Sequence, residues 1–152
     1  MADALRLRPA LRDEIVAHAR AESPREACGL LAGRDGGVSR VIRCVNVHST
    51  PTTRYVIDPR EQLKAFRSID AAGEELIGIY HSHPVSQPYP SPTDRAEAHY
   101  PDALYVLVSL RTGEPEVRAF RIFEDDFVRE IPVAVERRGL VRRLTDPPRR
   151  RD

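Results

Sequence analysis

An α+β (mixed α/β) domain built on one central sheet is what this chain predicts, and three observations carry that expectation. Two segments place apolar residues at helical spacing, several shorter ones alternate at strand spacing, and the two kinds interleave as helix, strands, helix, strand, short helix, strands. The 152 residues suit a single domain. A chain of this size buries about 68–70% of the surface it exposes when unfolded, enough for a core without staples.

"PALRDEIVAHARAES" sets Leu11, Ile15, Val16 and Ala19 on one face of a first helix, with His18 beside that stripe as a surface or boundary residue. Ser23-Pro24 ends it. "EACGLLAG" reads as a strand, "RDGG" as a hairpin turn, and "VSRVIRCVNV" as the partner strand. His48 lies in the loop "HSTPTT", and "TTRYVID" predicts a further strand. Asp58-Pro59 opens a second helix, "PREQLKAFRSIDAAG", which Gly73 closes. "EELIGIYHSHP" is strand-like from Leu76 to Tyr80, "SPTDRAEAHY" predicts a short helix stopped by Pro101, and "ALYVLVSL" is the strongest buried strand. "EPEVRAFRIFEDDFVREIPVAVE" supplies two or three more alternating strands.

Bulk composition excludes several function classes. The formal net charge of +1 argues against a chain built mainly to bind nucleic acid. No run approaches the roughly 18 apolar residues of a membrane helix, and "MADALRLRPALRDE" lacks a secretory apolar stretch, so a cytoplasmic protein is expected. Cys28 and Cys44 are expected to be reduced core thiols, and with no C-x-x-C there is no thiolate metal site. Seven arginines fall after Glu136, which predicts a domain over 1–136 and a solvated tail over 137–152.

Chemistry concentrates in "YHSHPVSQPYPSPTDRAE", residues 80–97. On a strand, residues i and i+2 share a face, so His81 and His83 project side by side while Ser82 points away. Three prolines stiffen "PVSQPYP". "SPTD" then has the form of a helix start, with Ser91 as N-cap, Pro92 in the first helical position and Asp94 in the third. That geometry makes a capping box, and it also fixes a carboxylate near the end of the histidine strand. Two imidazoles and a carboxylate suit a zinc ion with one open position, at which water becomes acidic near pH ~7; they also match the Fe(II) facial triad. A carboxylate that shuttles the proton is also needed, and spacing alone leaves Glu22, Glu26, Glu74 and Glu75 open.

Glu26 in "EACGLLAG", His-Ser-His, seven residues, Ser91, two residues and Asp94 together resemble the motif of the JAMM (MPN+) metalloproteases. The likeness covers about residues 5 to 135. It implies a cytidine-deaminase-like fold, a curled sheet flanked by helices, with one Zn2+ per chain on His81, His83 and Asp94. It further implies Glu26 as general base and Ser91 as hydrogen-bond donor to the oxyanion. The substrate class implied is a peptide or isopeptide bond after the C-terminal Gly-Gly of a ubiquitin-like protein, and the compact bacterial members it most resembles act on sulfur carriers, one branch freeing cysteine from a carrier–cysteine adduct. An inactive MPN interaction scaffold is the rival reading; it would lack part of the ligand set. Other metal enzymes fit less well. Val85 and Ser86 stand where H-x-H-x-D-H would continue, and a deaminase needs a P-C-x-x-C that this chain lacks.

Overall fold

The computed structural model describes residues 4–135, so the tail expected over 137–152 lies outside the described residues. Its elements are β1 (Leu5–Leu7), α1 (Pro9–Glu22), β2 (Cys28–Arg34), β3 (Gly37–Cys44), α2 (Pro59–Ala71), β4 (Glu75–His83), α3 (Pro92–Ala96), β5 (Leu104–Ser109), β6 (Glu116–Ile122), β7 (Val128–Ile131) and β8 (Val133–Val135). All eight strands join one sheet in the order β7-β6-β5-β4-β2-β3-β1-β8. β4 and β5 run parallel, joined through α3, whereas β2 pairs antiparallel with both β3 and β4.

Helices cover both faces of that sheet, which is why β5 is buried at every position. On one face Leu11, Ile15, Val16 and Ala19 of α1 pack with Leu31, Tyr80, Val106 and Val108. On the other, Ala65 and Phe66 of α2 pack with Cys28, Leu30, Ile79 and Tyr105. Each fully buried Leu, Ile or Val contributes about 1.5–3 kcal/mol, so these two layers dominate the stability. The α2 start is well specified: Asp58 accepts a hydrogen bond from the Arg60 N–H at 2.9 Å, Pro59 follows, and Gly73 at φ 68° ends the helix.

Four expectations change. His18 is buried, not peripheral: its Nδ1 shares a 2.7 Å hydrogen bond with the Tyr80 hydroxyl, because the face α1 turns to the sheet is wider than the apolar stripe. Burial lowers its pKa and favours the neutral ring. "TTRYVID" forms no strand; a single bridge, Asn46 to Ile57, is all that pairs there. The third helix spans only Pro92–Ala96. β1 is an addition to the expected elements, since three residues are too short for alternation to show, yet Leu5 and Leu7 are fully buried between β3 and β8. Cys28 and Cys44 are free and buried, and burial raises both thiol pKa values, to about 12 for Cys44. No helix of the described residues is long and apolar enough to cross a membrane.

The sheet positions β4 tightly from below. A Cβ on Gly29 would fall 2.5 Å from the Ile42 carbonyl oxygen and against the Tyr80 ring, which is fully buried and tied to His18. Gly29→Ala is therefore expected to destabilise the protein by about 1–3 kcal/mol in denaturant unfolding; an unchanged midpoint would contradict this packing.

Candidate metal centre

The last residues of β4 carry the site. A register shift between Leu31 and Ala32 of β2 moves the alternation of β4 by one residue. Beyond it Ile79 packs on the α2 face and Tyr80 on the α1 face, so His81 and His83 face the α2 side and Ser82 turns away. His81 sits directly opposite Cys28 of β2. Both imidazoles are almost fully buried, and they lie across the strand pair from the segment that carries Glu26, two residues before Cys28.

Asp94 meets them from α3. The capping box is present: Asp94 N–H donates to Ser91 Oγ at 3.0 Å, and Ser91 N–H donates to Asp94 Oδ2 at 2.9 Å. The same Oδ2 lies 3.0 Å from His83 Nε2 and 3.2 Å from His81 Nε2, and the two Nε2 atoms are 3.2 Å apart. Capping and convergence are thus one arrangement. The three ligand atoms form a nearly regular triangle; the edge of a tetrahedron with zinc–ligand bonds of roughly 2.0–2.1 Å is about 3.3–3.4 Å.

Protonation tests the fit for a cation. His83 Nδ1 lies 2.8 Å from the Gln87 carbonyl, which can only accept, so Nδ1 carries a proton. In the neutral ring His83 Nε2 is then a lone pair aimed at a carboxylate oxygen, an arrangement that requires either a second proton or a metal between them. Burial works against the imidazolium, but the Asp94 and Gln87 hydrogen bonds outweigh it and raise the pKa of His83. For His81 burial wins and the pKa falls. Burial would raise Asp94, yet its hydrogen bonds with His81, His83 and the Ser91 N–H hold it well below the usual carboxylate range. The raised pKa of His83 favours a proton at Nε2, the place a bound cation would otherwise take. Among the described residues, His81, His83 and Asp94 are the group able to hold a metal ion.

Glu26 is buried just before β2, and its Oε1 makes no hydrogen bond within the described residues. Burial pushes its pKa up to about 7, with His83 lowering it and Asp94 raising it. The backbone pairing of Ala27 with Ser82 sets Glu26 across from His83, and a dication held by the triangle would draw the pKa down again. Of the other carboxylates left open, Glu74 is engaged by Ser39 and Arg40 at the opposite end of β4, and Glu22 pairs loosely with Arg25 at 3.7 Å.

Three supporting residues escape a reading of the sequence. Ser82 Oγ accepts the Ala27 N–H at 2.8 Å and its own N–H donates to Ala27 O at 3.0 Å, pinning the residue next to Glu26. Gln87 orients His83 from the proline-rich loop, which Ser109 Oγ anchors by donating to Ser86 O at 2.6 Å. Tyr55 stacks on His81 with ring centroids 4.4 Å apart and planes inclined by 23°. Only Ser82 carries a sequence signal, its position between the two histidines. Because a metal must displace the His83 proton, metal affinity is expected to fall as pH drops through the raised His83 pKa, by up to about tenfold per pH unit. Chelator competition between about pH 5 and pH 8 would show this, and a flat profile would contradict it.

Comparison with known proteins shows the family. Residues 8–123 match the family model described as prokaryotic homologues of the JAB domain. The chain is 46% identical over 132 residues to the CysO-cysteine peptidase of Mycobacterium tuberculosis, covering 85% of this chain and 89% of that protein. It is 43% identical over 114 residues to the probable TtuB-protein conjugate cleaving protease of Thermus thermophilus, covering 75% and 73%. A solution structure from Desulfitobacterium hafniense superposes with a TM-score of 0.78 at 36% identity, covering 86% of this chain and 92% of that one. A JAMM-type ligand triangle beside a buried glutamate, on a chain matched over most of its length, makes this protein a member of the prokaryotic JAB-domain family of hydrolases.

Proposed function

We propose that this protein is a zinc peptidase that cuts after the C-terminal Gly-Gly of a ubiquitin-like sulfur carrier, releasing cysteine from a carrier–cysteine adduct. The observation that carries the reading is the convergence of His81 Nε2, His83 Nε2 and Asp94 Oδ2 within 3.0–3.2 Å of one another beside a buried carboxyl with an unpartnered oxygen. The adduct is favoured over a protein conjugate because the relative named as a CysO-cysteine peptidase is more identical and more fully covered than the one named for TtuB conjugates. Cleavage of a carrier–protein conjugate is the second reading. We assign the catalytic domain to residues 1–136, and the reaction to the cytoplasm, which keeps thiols such as Cys28 and Cys44 reduced.

His81, His83 and Asp94 would hold the zinc, which supplies Lewis acidity toward the attacking water and the scissile carbonyl. Glu26 takes the proton from the attacking water and delivers it to the departing amine. Burial favours the protonated carboxyl once Glu26 has taken that proton, so the residue can hold it until the amine departs. Ser91 Oγ already accepts the Asp94 N–H, which leaves its own hydrogen free to donate to the developing oxyanion. An extended Gly-Gly tail suits so enclosed a centre, since it has no side chains to exclude.

Mass spectrometry of a carrier–cysteine adduct, with and without a chelator, tests the reading: cysteine release that stops with chelation is expected, and chelator-insensitive release would overturn it. Glu26→Gln is expected to keep its zinc while turnover falls by about 10²–10⁴-fold; full turnover would remove Glu26 from the mechanism. Ser91→Ala is expected to cost about 2.7–4 kcal/mol of transition-state stabilisation. A fall in thermal midpoint with kinetics intact would leave Ser91 as a cap alone.

A further inference from the structure

The loop between β3 and α2 turns on one buried side-chain amide. Asn46 is 4% exposed, yet both ends of its amide are engaged. Nδ2 donates to Glu26 O at 3.0 Å and Arg54 O at 3.0 Å, with Pro51 O at 3.4 Å, while Oδ1 accepts the His48 N–H at 3.0 Å and the Val56 N–H at 3.1 Å. Glu26 N–H closes the ring by donating to Pro51 O at 2.7 Å. The two bonds to Arg54 O and Val56 N–H bracket Tyr55, the residue stacked on His81. A single amide therefore joins the backbone of Glu26 to the segment that presents Tyr55 against a ligand histidine.

These bonds do what a strand ladder would otherwise do. The segment 52–57 has strand-like alternation but only one bridge, and the Asn46 side chain fills the places of the missing backbone partners. A neutral amide suits the position because it has two hydrogens to give and two lone pairs to receive them, so every group it meets is satisfied. Aspartate has the same shape but would turn a carboxylate toward carbonyls.

We propose that Asn46 is a positioning residue for the hydrolytic reaction: through its amide it locks the Glu26 backbone and the Tyr55 segment into one rigid unit, and so fixes where the Glu26 carboxyl stands relative to the ligand triangle. The proposal rests on Glu26 serving as the base. On the opposite side of Glu26, Ser82 holds Ala27, so the glutamate is gripped through the backbone at its own carbonyl and at the next residue. Its carboxyl, with Oε1 unpartnered, depends on that grip for its direction.

A double-mutant cycle with zinc-saturated enzyme tests this. Asn46→Ala is expected to lower kcat by about 10–100-fold with KM little changed, the range typical of losing a residue that orients a reacting group. Placed on Glu26→Gln it should produce no further loss, because the base it positions is already gone. Asn46→Asp should fail as Asn46→Ala does, although its volume is unchanged. In the metal-free protein the amide hydrogens of His48 and Val56 should exchange faster while those of β4 and β5 keep their protection. Losses that multiply in the double mutant, or a drop in thermal stability with kcat intact, would overturn the proposal. If Asn46→Ala does not fold, Asn46→Ser, which keeps one donor and one acceptor, carries the same cycle: no added loss on Glu26→Gln supports the positioning role, and multiplied losses overturn it. Full activity of Glu26→Gln alone would instead remove the role of Glu26, a separate result.

Discussion

The chemistry proposed for this protein depends on one oxygen, Asp94 Oδ2, being held within 3.0–3.2 Å of two imidazole nitrogens in a place that water barely reaches. Left unscreened, a carboxylate oxygen and the His83 lone pair at that distance repel. A proton on His83, which its raised pKa favours, or a cation held by the triangle would relieve that repulsion. The elements of the fold that matter are those that keep this triangle closed. Parallel β4 and β5 set the histidine strand centrally, the stiff 84–90 loop returns the chain, and the capping box aims the aspartate.

Burial around the triangle works against stability and for chemistry. Glu26 Oε1 and His81 Nδ1 are buried without partners within the described residues, and each such group costs about 1–3 kcal/mol relative to a satisfied one. A fold that needed only to be stable would place apolar side chains there. A metal ion held by the triangle would offset part of that cost, since it would favour the native state alone. The same dryness raises the Glu26 pKa to about 7 and strengthens every charge interaction inside the site. The core beneath is closely packed, with Tyr80 between Gly29 and His18, so the partly unsatisfied polar layer rests on a well-packed one.

How much of this is legible in the sequence follows from the range of each interaction. The His81–His83 pair is legible because strand alternation is local, and so is the helix start at Ser91–Asp94, a motif four residues long. The hairpin of β2 and β3 and the covered strand β5 declare themselves through turn residues and an unbroken apolar run. Tyr55, Asn46 and His18 do not, because each acquires its role from a partner distant in the chain: His81, Glu26 and Tyr80. Glu26 can be singled out from four candidate acids only by resemblance, since its burial comes from the meeting of β2 with β4. "TTRYVID" misleads for a related reason: its alternation is real, but a side-chain amide takes the bonds a neighbouring strand would have supplied.

The most direct measurement is anomalous diffraction at the zinc absorption edge on crystals of the intact protein. One peak about 2.0–2.1 Å from His81 Nε2, His83 Nε2 and an Asp94 carboxylate oxygen is the expected result. No peak there under saturating zinc, or a peak elsewhere with the three side chains splayed apart, would contradict a metal centre at the end of β4.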